Sequence, residues 1–127
     1  MTENQTLTLF CPVGQQELDL IRESGWKRFP PRLDWQPIFY PVLTEDYAVR
    51  IARDWNTKDV NSGFVGYVLR FQVCHDYMNS HTPHEAGGRD LREYWIPAEE
   101  LEPFNDQIVG RIELLHEFRS TDQAAQG

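Results

Sequence analysis

Between Phe64 and Val73, the apolar residues Val65, Tyr67, Leu69, Phe71 and Val73 alternate with Gly66, Arg70 and Gln72. A period of two puts one set of side chains on one face of an extended chain, so this run predicts a half-buried β-strand. Such a strand needs neighbours to pair with and something to cover its apolar face. The clearest helical pattern stands just upstream, where Tyr47, Ala48, Ile51, Ala52 and Trp55 recur at helical spacing. Thr44 suits the N-cap of that helix, and Glu45 and Asp46 suit its first turn, so residues 44–55 are expected to be helical.

The other elements fall around this pair. Residues 6–11 alternate polar and apolar and read as a strand ended by Pro12 and Gly14. Residues 15–24 read as a short helix with Leu18, Leu20 and Ile21 marking its apolar side and Gly25 placed for the C-terminal cap. Residues 26–36 read as a loop stiffened by Pro30 and Pro31, and residues 38–43 as an edge strand because Pro41 cannot donate to a ladder. Residues 56–63 and 74–92 read as loops, the second with one helical turn and a Gly87-Gly88 hinge. A strand at 93–97, a turn of helix over 98–104 and a strand over 108–118 with Ile108, Ile112 and Leu114 on one side complete the order. Helices early and strands late indicate an α+β domain with a mixed or antiparallel sheet and two main helices. Residues 7–118 form that domain, with an extended or disordered segment 1–6 before it and a tail, 119–127, after it.

A chain of 127 residues is large enough to bury a core as one domain without staples. Its hydrophobic content of 40% separates it from disordered sequences. No apolar run reaches spanning length, the first residues lack the pattern of a signal peptide, and Cys11 and Cys74 stand far apart. These features suggest a cytoplasmic protein with free thiols. Twelve basic residues against 20 acidic ones, with no basic run, argue against non-specific nucleic-acid binding, which counterion release drives through clustered Lys and Arg. The group Cys74, His75, His81 and His84 matches no standard zinc spacing, so no metal is expected. Neither a G-x-G-x-x-G nor a G-x-x-x-x-G-K motif is present, which argues against a dehydrogenase or a P-loop enzyme.

The stretch Glu93-Tyr94-Trp95-Ile96-Pro97 puts a carboxylate at the start of a short apolar strand. Glu93 is there either as a solvated strand-end residue or as a group facing a cleft. Leu9-Phe10-Cys11-Pro12-Val13-Gly14, then Glu17-Leu18 through Ser24-Gly25, then Phe39-Tyr40 through Tyr47-Ala48, and finally the Glu93 stretch occur in that order. Together they resemble a small bacterial ADP-ribosyltransferase-like domain, with further likeness to proteins loosely labelled ADP-ribosylation/crystallin-like. In that family the late strand opens with a catalytic glutamate and runs into an E-x-x-I-P type segment.

The resemblance implies NAD as substrate, with ADP-ribose passed to an unknown acceptor or NAD hydrolysed. Glu93 would be catalytic, orienting the ribose and stabilising positive charge on it. Tyr40 and Tyr47 would frame the nicotinamide, although core packing is the better account of each taken singly, particularly of Tyr47 on the apolar helix face. Arg32 would hold the pyrophosphate through a forked pair of hydrogen bonds, or is a surface arginine in a proline-rich loop. Gly14 would let the backbone approach the ligand, or is a turn before the helix. Cys11 occupies the first-strand position where active members carry His or Arg, and Leu91 the position where arginine-modifying members carry an acid or Gln. These departures leave a second expectation, a catalytically decayed domain that binds a protein partner as an inhibitor, immunity or regulatory module.

Overall fold

The computed structural model describes residues 5–31, 38–85 and 91–119. Strands Thr6–Val13 (β1), Ile38–Phe39 (β2), Val65–Cys74 (β3), His84–Glu85 (β4), Arg92–Glu93 (β5), Ile96–Pro97 (β6) and Ile108–Arg119 (β7) alternate with helices Gln15–Glu23 (α1), Glu45–Asp54 (α2), His75–Met78 (α3) and Leu101–Asp106 (α4). Among the described residues all strand pairs are antiparallel, and β3 lies between β1 and β7. The domain is therefore of mixed α+β class.

β3 is buried more deeply than its alternation predicts. Val65, Gly66, Tyr67, Val68 and Leu69 are all buried, because helices cover both faces of the sheet at this end. On one face Leu9, Cys11, Val13, Leu69 and Phe71 meet Leu18 and Ile21 of α1 and the rings of Phe29, Phe39 and Phe104. On the other, Ala48 and Ala52 of α2 lie against Val42 and Val68. The approach of α2 is close enough that a Cβ at Gly66 would stand 2.2 Å from the Ala52 carbonyl oxygen.

Thr44 caps α2 as its residue type suggests, its hydroxyl accepting from the Tyr47 N–H at 3.2 Å. The expected strand at 38–43 is shorter in the structure. Only Ile38–Phe39 is strand, and after Pro41 the chain returns to the sheet at a single residue, Val42, which bridges Phe10 on one side and Glu93 on the other. The expected strand at 93–97 is likewise divided: Arg92–Glu93 pairs with β4, whereas Ile96–Pro97 pairs with β2. Ile112 is buried as expected, but Leu114 is 44% exposed. Two register shifts along β7 and the left-handed Gly110 break the simple alternation that would have put Leu114 in the core.

Polar groups fasten the loops. Asn105 is 3% exposed, and its side-chain amide accepts from Phe29 N–H at 2.8 Å and donates to Phe29 C=O at 2.9 Å, fixing the backbone just before Pro30. The Tyr77 hydroxyl and the His81 ring both meet Glu100 Oε2 at 2.5 Å, tying α3 and the turn after it to the 3-10 turn Ala98–Glu100. Burial pushes the Glu100 carboxyl up, but the Tyr77 and His81 hydrogen bonds and the His81 charge outweigh it and hold the carboxyl below its ordinary value. A lowered folded pKa stabilises above the unfolded value, and that contribution is lost as pH falls through the folded one. The stability gap between wild type and Glu100→Gln, about 1 kcal/mol at neutral pH for a partly exposed charge-assisted pair, is expected to shrink as pH falls below about 4.5 in urea titrations. A gap independent of pH would show that Glu100 is not held as an anion.

Candidate functional site

A cleft of about 560 Å³ opens where the sheet stops being continuous. Phe10 and Val42 exchange both backbone hydrogen bonds, at 2.9 and 2.8 Å. The next outward-facing position on β1 is Pro12, which has no N–H to give, and among the described residues the ladder with Val42 goes no further. The end of β1, through Cys11, Pro12 and Gly14, becomes the floor of the cleft. Gln16, Glu17 and Leu20 of α1 form one wall, Ile51 and Trp55 at the end of α2 another, and Pro30 with Pro31 part of the rim.

The two ends differ chemically. One is polar: Asn56, Asn61 and Ser62 come from two 3-10 turns, Asn56–Lys58 and Val60–Ser62, and Asp59 joins them. Ser62 donates to Asp59 Oδ2 at 2.9 Å and accepts from Asn56 Nδ2 at 2.9 Å, which rigidifies this end. Gly14 packs against it so closely that a Cβ there would lie 2.5 Å from Ser62 Cα. The glycine is thus required for the helix start to approach the turn.

At the opposite end stand Phe39, Tyr40, Val42 and Glu93. Glu93 is held in the sheet by its bridge to Val42 and by pairing with His84. Its carboxylate is fixed from two sides. Tyr47 Oη donates to Oε1 at 2.6 Å, and Trp95 Nε1 donates to Oε2 at 2.9 Å. A carboxylate offers roughly four lone-pair positions, so two remain for a hydroxyl or other donor of a ligand. Burial and then the hydrogen bond to Glu93 push the Tyr47 phenol up to about 12, so it remains a donor at neutral pH. Beside this pair, Tyr40 and Trp95 meet edge to face with centroids 6.4 Å apart, and both rings are nearly half exposed.

The structure thus brings four of the expected residues, Cys11, Gly14, Tyr40 and Glu93, into one cleft. Tyr47 is absent from the described lining; it packs against the cluster of Val42, Ala48, Ala52 and Val68, and its hydroxyl donates to the Glu93 carboxylate. Its place on the apolar side of α2 leaves only its hydroxyl reaching the site. Arg32 lies outside the described residues, although Pro30 and Pro31 before it line the cleft. No Lys or Arg is among the described lining residues, while Glu17, Asp59 and Glu93 are.

Sequence reasoning missed the polar end and Trp95. The run 56–63 is mostly polar and reads as an ordinary loop, with no motif to mark Asn56, Asp59 or Ser62. Trp95 had a usable signal: residues two apart in an extended segment project to the same side, so an indole at that spacing from Glu93 is within its reach.

Among the described residues no group of three or more His, Cys, Asp or Glu side chains is arranged to hold a metal, and no helix is long and apolar enough to cross a membrane. Comparison of the chain with protein-family models, curated proteins and solved structures finds no match in any of the three.

Proposed function

We propose that the cleft binds NAD or a closely related nucleotide and that Glu93 acts at the ribose next to the nicotinamide. The observation that carries this reading is a carboxylate held by two donors from separate segments and lining an open cleft with exposed aromatic groups. In the reaction the glycosidic C1′–N1 bond breaks and nicotinamide leaves with the bonding pair. A fixed anion close to C1′ stabilises the oxocarbenium character that develops there. Water or an acceptor side chain then bonds to C1′ and gives up its proton. Tyr40, which lines the cleft, would pack on the nicotinamide ring, and the floor at Gly14 has no side chain to obstruct the ligand.

The described lining is acidic, so the phosphates need a cation from elsewhere. We assign that part to Arg32, which follows the two rim prolines. The test is nicotinamide release from NAD by the wild type and its loss in Glu93→Gln. Absence of release from the wild type would sink the transferase and hydrolase reading.

A second reading, a protein-binding module, is favoured by a different observation. Leu20, Tyr40 and Trp55, 43%, 46% and 68% exposed, all lie at the cleft. Exposed apolar groups gathered at one place are characteristic of contact surfaces. A decayed site is expected to be filled by side chains, so the open volume supports the ligand-binding reading over this one.

A further inference from the structure

Trp95 stands outside the lining of the cleft, yet its indole reaches the residue on which the proposed chemistry depends. Glu93 and Trp95 are two residues apart, and His84 is the direct cross-strand partner of Glu93 in the β4–β5 pair. Cross-strand partners lie side by side, and the extended chain leaving β5 brings Trp95 back against both Glu93 and His84. The His84 and Trp95 rings lie 3.8 Å apart between centroids and 11° from parallel. Tyr40 meets the same indole edge to face. The Trp95 ring is thus confined by two neighbours, and its N–H is directed at Glu93 Oε2 at 2.9 Å.

We propose that Trp95 is a positioning residue for Glu93 and that His84 sets the aim of the indole. This inference rests on the functional reading given above for what the positioned carboxylate does, but not for the contact itself. Tyr47 holds one carboxylate oxygen from the buried side of α2, and Trp95 holds the other from the surface. With both donors in place the carboxylate keeps one orientation toward the cleft. Without Trp95 it can rotate about the remaining bond to Tyr47. A misdirected anion loses more in the transition state than in substrate binding, because charge at the ribose develops only there. The two-stranded β4–β5 pair accordingly serves the site, although His84 and Glu85 are themselves exposed.

Two measurements decide the inference. In ligand-free protein, hydrogen exchange of the Trp95 indole N–H is followed by NMR, with the resonance identified by its loss in Trp95→Phe. Trp95 is 47% exposed, so an unbonded N–H would exchange quickly. Protection of at least tenfold over an exposed tryptophan is expected, lost in Glu93→Ala, reduced in His84→Ala and recovered in His84→Phe, which restores a stacking ring. A resonance that exchanges freely, or is unaffected by Glu93→Ala, overturns the inference whether or not NAD is the ligand. In turnover, Trp95→Phe keeps an aromatic ring and removes the donor. Nicotinamide release is expected to fall about tenfold in kcat, with KM within twofold of wild type, the size of one charge-assisted hydrogen bond. An unchanged kcat in an active enzyme also overturns it. A wild type that releases no nicotinamide counts against the function, and the exchange measurement alone then decides the positioning.

Discussion

In Glu93→Gln, nicotinamide release from NAD is expected to fall by about 100- to 1,000-fold, with the fold intact. That range is what removing one fixed electrostatic group at a reacting centre takes from a rate. The substitution suits the test because the amide can keep both neighbours. Its oxygen accepts from Trp95 Nε1, and its NH2 donates to the Tyr47 hydroxyl, which can turn to accept. The chain therefore loses a negative charge and little else, and the unfolding midpoint is expected to stay close to wild type. A variant that keeps a rate within threefold of wild type would remove Glu93 from the chemistry. A rate lost together with the fold would be resolved by Glu93→Asp, which keeps the charge and draws it back by one methylene.

Gly66→Ala is expected to be the most destabilising small substitution in the domain, at about 3 kcal/mol or more, the upper range for overpacking. The new methyl would stand 2.2, 2.7 and 2.8 Å from the O, C and Cα of Ala52. These are backbone atoms of α2, and no rotamer change can withdraw them. The helix must lift from β3, exposing Ala48, Ala52 and Val68, which are fully buried in wild type. The loss would take a large share of the 5–15 kcal/mol typical of a domain's stability. It would also displace Tyr47 from Glu93, so nicotinamide release should fall along with stability. Urea unfolding within 0.5 kcal/mol of wild type would contradict the close packing of α2 on β3.

The elements that could be read from the sequence are those in which one physical signal dominates. α2 has an apolar stripe, a Thr cap and acids in its first turn, all agreeing, and it begins and ends almost where these signals place it. β3 was recognisable as a strand, but its depth was not, since burial of Gly66 and Val68 depends on how α2 packs against it, which the alternation within β3 does not encode. Leu114 illustrates the opposite failure: alternation assigns a face only while the register is regular, and β7 carries two shifts. At the site, Glu93 and Tyr40 were legible as a carboxylate and an aromatic near strand ends. The role of Tyr47 was not, because its spacing reveals that one side of the residue is buried and says nothing of where its hydroxyl goes. The polar end at Asn56, Asp59 and Ser62 is made by a loop folding back onto Gly14, a contact between positions more than 40 residues apart that local pattern does not encode.

The most direct test is a titration of the 15N-labelled protein with NAD, followed by NMR. Saturable shifts are expected at submillimolar NAD, concentrated at Cys11, Gly14, Leu20, Tyr40, Ser62 and Glu93 and at the indole of Trp55, all of which line the cleft. Spectra unchanged up to millimolar NAD, or shifts gathered on the outer edge of β7, would contradict a nucleotide site between α1 and α2.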